Sequence, residues 1–224
     1  MQIESFFRKN ADFVDDEACT GAARSTFVES ELRCHYTNER FDAYASGAID
    51  GDREFLYNRA KAWIQRILGP YEEFVEELPQ LLKLTSGATA TASRSLSQPV
   101  RKIGQLGSCT PKAWPYIVAL YRAIGEEPPR PKLTLRNRVA VVPKDWKTHR
   151  TIAAEPAGNL PLQLAFDAFG KKCLSMRTDI DLADQSGNRD LARLGSLEDG
   201  TWCTVDLSAA SDTIAMNLVA YLLP

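Results

Sequence analysis

Apolar side chains return every three to four residues through most of the first half of the chain, which predicts helices there. Residues 52–68, DREFLYNRAKAWIQRIL, put Leu56, Ala60, Trp63, Ile64 and Ile67 on one face, with Asp52 able to cap the start and Gly69-Pro70 ending the run. Residues 24–40 predict a second amphipathic helix with Phe27, Leu32 and Tyr36 as core contacts. Residues 71–84 predict a third, broken at Pro79, whose ring removes a backbone donor. Thr110-Pro111 opens another helix by a cap and a first-turn proline. Its stripe is Trp114, Ile117, Val118, Tyr121 and Ile124, and it stops at Gly125 and the prolines beyond. A further helix runs from Leu160 to about Met176.

The later part of the chain changes period. RVAVV, residues 138–142, is a short β-type run closed by Pro143, and residues 151–154 are its expected partner. TWCTVDL, residues 201–207, reads as a strand that alternates Trp202, Thr204 and Asp206 against Cys203, Val205 and Leu207. Ser208 or Ser211 can cap a following helix that carries Ile214, Leu218, Val219 and Leu222. Between the halves lies SGATATASRSLSQP, residues 86–99, small, polar and aperiodic, with Arg94 as its one charge. Its composition favours a flexible linker between subdomains over a loop whose amides and Arg94 touch a nucleic-acid backbone. A helical first half followed by short strands gives an α+β class, and no internal repeat is visible.

Composition narrows the picture only a little. The chain has 224 residues, 44% hydrophobic and 25% charged, the balance of a globular protein of one large or two small domains. No apolar run approaches a membrane span, and MQIESFFRKNADF lacks the apolar core of a signal peptide. Five scattered cysteines form no Cys-x-x-Cys pair, which fits a reducing cytoplasm and neither a zinc knuckle nor a disulfide framework. The net charge of −2 hides an asymmetry: residues 1–80 carry 16 acidic and 9 basic side chains. Residues 130–150 carry seven basic side chains against Asp145 alone. Charge by itself favours a solvated strand and loop there over a focused anion site.

Two stretches carry candidate chemistry. In TVDLSAASDTI, residues 204–214, Asp206 stands at a strand end before small residues that let a nucleotide approach the backbone. This is one way to present a hard oxygen ligand to Mg²⁺ and phosphate. Alone it is not specific, and a capping or solvated aspartate explains it as well. Asp212 is served equally by a negative charge in a first helical turn. In PKDWKTHR, residues 143–150, Lys144, Lys147 and Arg150 are odd-spaced neighbours that a turn at Asp145-Trp146 could gather around a triphosphate. His149 reads as a neutral polar side chain and His35 lies in a predicted helix, so a histidine-dependent hydrolase has little to work with.

Taken in order, these stretches resemble one family. Val142-Pro143-Lys144, Lys147-Thr148 and Arg150 are followed by Glu155-Pro156, Ile180-Asp181-Leu182, Asp184-Gln185 and Asn188, Gly195-Ser196, and Thr204 through Asp212. Upstream stand SGATAT at 86–91, Arg94-Ser95, Cys109-Thr110-Pro111 and Thr37-Asn38-x-Arg40. Their order and spacing resemble the RNA-dependent RNA polymerase, or replicase β subunit, of the single-stranded RNA bacteriophages, from about residue 30 to the end. Two departures stand out: His149 where relatives usually have Asp, and Ala183 where they have Asn.

The resemblance implies a right-hand polymerase, with residues 1–194 as fingers and 195–224 as the start of the palm. Asp206 matches a catalytic, metal-binding carboxylate, and Lys144, Lys147 and Arg150 match the segment facing the incoming triphosphate. Ser211 and Asp212 fall near the nucleotide sugar, and Arg94 is a candidate RNA contact. The implied cofactor is Mg²⁺ in a two-metal site, with Mn²⁺ as a substitute. The implied partners are template and nascent RNA, nucleoside triphosphates, and host elongation factors Tu and Ts with a ribosomal protein, with no membrane. The implied location is the cytoplasm of an infected bacterium. The family's Gly-Asp-Asp hairpin has no match in this chain, whose one Gly-Asp pair, Gly51-Asp52, begins a predicted helix. The chain is therefore expected to be a fragment, starting later than its relatives and inactive alone. A non-catalytic RNA-binding protein on the same scaffold and a Mg²⁺-dependent phosphohydrolase are the alternatives.

Overall fold

The computed structural model describes residues 15–47, 51–85, 87–91, 98–144, 148–184, 186–197, 202–203, 205 and 207–224. In chain order the elements are α1 (Asp16–Ala45), α2 (Gly51–Leu68), α3 (Tyr71–Leu81), α4 (Pro99–Ile103), β1 (Ser108–Cys109) and α5 (Trp114–Ala123). They continue with β2 (Lys132–Leu133), β3 (Arg138–Pro143), β4 (His149–Ala154), α6 (Leu160–Arg177), α7 (Ser186–Leu197) and α8 (Met216–Leu222). The expected α+β mixture is what the chain adopts. It divides into two compact units, Met1–Glu29 with Val75–Asp167, and Ser30–Phe74 with Ala168–Pro224.

The first unit is centred on Leu106, Ile117 and Tyr121, with Leu84, Ile103, Trp114 and Leu120 packed around them. Tyr121 resolves the polarity of its ring by donating its hydroxyl to the Ile103 carbonyl. Ile117 and Tyr121 are the buried part of the predicted α5 stripe, while Ile124 lies just past the helix and is exposed. The residues before α5 form a turn, and Thr110 is held by Asn159, whose Oδ1 accepts both its N–H and its hydroxyl. Cys109-Thr110-Pro111 is thus a core anchor. Gly158 stands beside it because a Cβ there would lie 2.2 Å from the Leu106 carbonyl oxygen. β1 and β2 form a two-residue parallel ladder, whereas β3 and β4 form the expected pair, which is antiparallel and runs from Arg138 opposite Ala154 to Pro143 opposite His149.

The part of the 86–99 stretch that is described is not a linker. Thr89 is only 2% exposed, the Ala90 N–H donates to the Glu155 carbonyl at 2.8 Å, and Arg138 donates to the Thr89 carbonyl. Composition missed this because small residues suit a tightly packed backbone as well as a loose one. Lys102 lies nearby and is fully buried, its Nζ donating to the Thr85 carbonyl at 2.6 Å. Burial pushes its pKa down from the usual lysine value.

In the second unit α2 packs on α8 through a cluster of Phe41, Tyr44, Tyr57 and Tyr221, with ring centroids 5.1–6.5 Å apart. Lys61 places its ammonium 4.6 Å from the centre of the Tyr221 ring. The covered side of α2 therefore runs through Tyr57, Lys61, Ile64 and Leu68, and Leu56 and Trp63 of the predicted stripe stay exposed. Elsewhere in the unit Phe74 meets Phe169 edge-on, and Arg177 pairs with Glu73 at 2.5 Å. Gly69 ends α2 at φ 76°, a conformation that disfavours side chains.

Other boundaries also moved. α1 starts earlier and ends later than 24–40, and its covered side carries Ala23, Phe27, Ser30, Cys34, Asn38 and Phe41. Leu32 and Tyr36 face outward, because the apolar pattern of this helix is too diluted by polar residues to mark its inner side. α3 runs through Pro79 and ends two residues later, since a proline in the last turn costs less than one at the centre. No strand appears at the described residues of 201–207: a strand needs a ladder partner, and Val205 and Leu207 are exposed.

Candidate nucleotide-facing site

Alternation along β3 and β4 decides which cations share a face. Val142 opposes Arg150, so these two side chains lie on the same side of the hairpin. The Lys144 N–H donates to the Thr148 carbonyl at 3.0 Å and extends the pairing by one step. Lys144, two residues beyond Val142, therefore falls on the Arg150 side. Both are exposed and able to meet an anion. Lys147 and the expected turn at Asp145-Trp146 lie outside the described residues, as do Arg94 and Asp206.

His149 takes the opposite side. Its side chain is 2% exposed, its Nδ1 lies 3.3 Å from the Thr20 hydroxyl, and its Nε2 lies 3.5 Å from an Asp16 carboxylate oxygen. Among the described residues that Nε2 has no hydrogen-bond partner. The residue read as a neutral polar side chain is thus a buried peg on the first turns of α1, and it turns Arg150 toward solvent.

In the second unit, residues 208–213 form a turn that carries Ser211 and Asp212, both exposed. The Ser211 hydroxyl donates to the Asp212 carboxylate at 3.3 Å. Neither serine caps α8, whose N-cap is Ala215 with no side-chain bond, and Asp212 lies ahead of that helix, outside its first turn. Ala209 adopts φ 54°, the left-handed region that costs a non-glycine residue about 1–2 kcal/mol. The Cys34 thiol donates to the Asp212 carbonyl at 3.4 Å. Burial first, then the carboxylates of Glu31 and Asp212, hold that thiol above its ordinary pKa and keep it protonated as a donor.

The IDLADQ segment has a local account that sequence reasoning missed. Asp181 accepts the Ala183 N–H and Asp184 accepts the Ser186 N–H, each at 2.8 Å, so the two carboxylates build the turn and start α7. The Ser186 bonds hold the Asp184 carboxyl below the usual carboxylate range. An aspartate two residues before a helix was the available signal.

Comparison with known proteins gives this geometry its context. A family model described as RNA replicase, beta-chain, matches residues 3–224. The chain is 35% identical over 215 residues to the RNA-directed RNA polymerase subunit beta of Enterobacteria phage SP, covering 94% of this chain and 36% of that protein. It is 33% identical over 213 residues to the subunit of the same name from Escherichia virus Qbeta, with 94% and 35% covered. Against the RNA-directed RNA polymerase beta chain of Escherichia phage MS2 it is 44% identical over 93 residues, 42% of this chain and 17% of that one. The chain spans about a third of the length of the first two. With a match that runs almost from end to end, this chain belongs to the RNA replicase beta-chain family.

Proposed function

We infer that the chain is the fingers region, residues 1–194, and the start of the palm, residues 195–224, of a bacteriophage RNA-directed RNA polymerase. The observation that carries this reading is the family match over residues 3–224, joined to the hairpin that puts Lys144 and Arg150 on one open face. Lys144, Lys147 and Arg150 hold the triphosphate, Arg by a bidentate fork and Lys as point charges. Ser211 and Asp212 flank the sugar, and Arg94 contacts RNA. Template, nascent strand and nucleotides are the partners within the infected cell's cytoplasm, with elongation factors Tu and Ts and a ribosomal protein as host subunits. Among the described residues no helix is long and apolar enough to cross a membrane.

Nucleotidyl transfer by two metals uses Mg²⁺, or Mn²⁺ in its place, to stabilise charge on the attacking and leaving oxygens. Among the described residues no three His, Cys, Asp or Glu side chains are gathered as a divalent ion needs. In this reading Lys144, Lys147 and Arg150 bind and orient the nucleotide, and Asp206 is the residue assigned to the metal. The test uses a full-length polymerase carrying this chain. Asp206→Asn should abolish incorporation and spare RNA binding; normal turnover would refute the metal role. Arg150→Ala should raise the KM for nucleotides by roughly tenfold or more, as loss of a charge-assisted bond of about 1.5–3 kcal/mol requires. An unchanged KM would refute the triphosphate role.

A further inference from the structure

The Thr37-Asn38-x-Arg40 segment has no part in the function proposed above, yet its Asn38 lies on the side of α1 that meets the chain beyond the sugar-side turn. Cys34, Asn38 and Asp42 recur at i, i+4 and i+8, so they line one side of the helix. Each bonds to the chain between 212 and 217. Cys34 donates to the Asp212 carbonyl at 3.4 Å. Asn38 Oδ1 accepts the Asn217 N–H at 2.9 Å, and the Asn217 amide donates to the Asn38 carbonyl at 3.3 Å and to Asp42 Oδ1 at 2.8 Å.

Asn38 does for α8 what its own N-cap cannot. Ala215 has no side-chain acceptor, and it is fully buried, so water does not serve that helix start at this position. The open N–H at Asn217 is satisfied by a side chain 179 residues away in sequence. The turn just before it is strained at Ala209, and Thr213 holds it by donating its hydroxyl to the Ala209 carbonyl at 3.1 Å. Strained backbone persists where surrounding contacts over-determine it. The α1 ladder grips this turn at its Asp212 end and at Asn217 beyond it.

We propose that Asn38, acting with Asp42 through Asn217, is a positioning residue that sets where Ser211 and Asp212 stand, and thereby the preference for ribose over deoxyribose. The proposal rests on the reading of Ser211 and Asp212 as sugar-side residues. Asn38 touches neither substrate nor metal in it.

The experiment measures kcat/KM for a ribonucleotide and its 2′-deoxy counterpart on one template, in a full-length polymerase carrying this chain. Asn38→Ala should lower the ribose-to-deoxyribose ratio on the order of tenfold, the scale of a small misplacement at a reacting centre. Asn38→Asp, which keeps an oxygen for the Asn217 N–H, should restore most of the ratio. If Asn38→Ala does not fold, Asn217→Asp sets a carboxylate against Asp42 in place of the amide donor and should move the ratio the same way. A ratio unchanged in the folded variant, whether both rates fall together or neither falls, overturns the proposal. Ser211→Ala and Asp212→Ala are run in parallel: if neither changes the ratio, the sugar-side reading fails and the proposal with it, whereas a ratio changed by either of them but not by Asn38→Ala overturns the proposal alone.

Discussion

Tyr221→Phe removes one hydroxyl from the centre of the α2–α8 contact and leaves the ring in place. That hydroxyl donates to Asn58 Oδ1 at 2.5 Å and lies 2.8 Å from the Tyr44 hydroxyl, which donates to it. The bond to Asn58 contributes about 0.5–1.5 kcal/mol, toward the lower end because Asn58 is exposed and rehydrates. No cavity opens, since the centroids 5.7 Å from Phe41 and 5.1 Å from Tyr44 belong to the ring that remains. Amides of α8 should therefore exchange roughly two- to tenfold faster. A second readout is independent of the first. The hydrogen bond to Tyr221, then burial, pushes the Tyr44 pKa up to about 12. Between the ordinary tyrosine value of about 10 and that value, the native chain keeps a proton that the unfolded chain releases. The stability this contributes is complete below pH ~10 and is lost as pH rises through about 12. In Tyr221→Phe, spectrophotometric titration should show one tyrosine moving down toward about 10, and the alkaline loss should shrink. Unchanged exchange in α8 together with an unchanged tyrosine titration would refute the reasoning.

Three further predictions concern the scaffold. Lys102 has a pKa lowered by burial, so the unfolded chain binds the extra proton and stability rises with pH toward the ordinary lysine value; Lys102→Met should abolish that rise in urea unfolding followed across alkaline pH. At neutral pH the same change leaves the Thr85 carbonyl without its donor, a cost of about 1–3 kcal/mol set against the relief of burying no charge. Ala209→Gly should be tolerated or stabilising because it relieves the left-handed φ of 54°, while Ala209→Val should lower the melting temperature. Gly158→Ala should cost about 1–3 kcal/mol, because its Cβ would meet the rigid Leu106 carbonyl at 2.2 Å, and calorimetry would read it.

Local pattern reached the elements whose signals are written in consecutive residues. The proline and glycine at 69–70 stop α2 at Leu68, and the apolar run before Pro143 is a strand in register with the segment expected to pair with it. The Lys144 and Arg150 face was within reach only after that register was known, because the spacing of two residues on different strands fixes no shared side until the pairing between the strands is set. The inner side of α1 was not legible: its covered positions include buried Ser30 and half-buried Cys34 and Asn38, polar or small residues that no apolar stripe marks.

The sequence by itself determined the helices with strong punctuation, the β3–β4 pair, the α+β class, and the order of motifs that marks the family. Those features depend on backbone dihedral preferences and on the 3.6 and 2.0 residue periods, which act over a few neighbours. Tertiary structure alone decided that Thr89 is a buried anchor, that His149 is a peg on α1, and that Asn38 caps α8 from 179 residues away. Each of those depends on a donor, an acceptor or a covered surface brought in by a distant part of the chain, and no local pattern can hold that information.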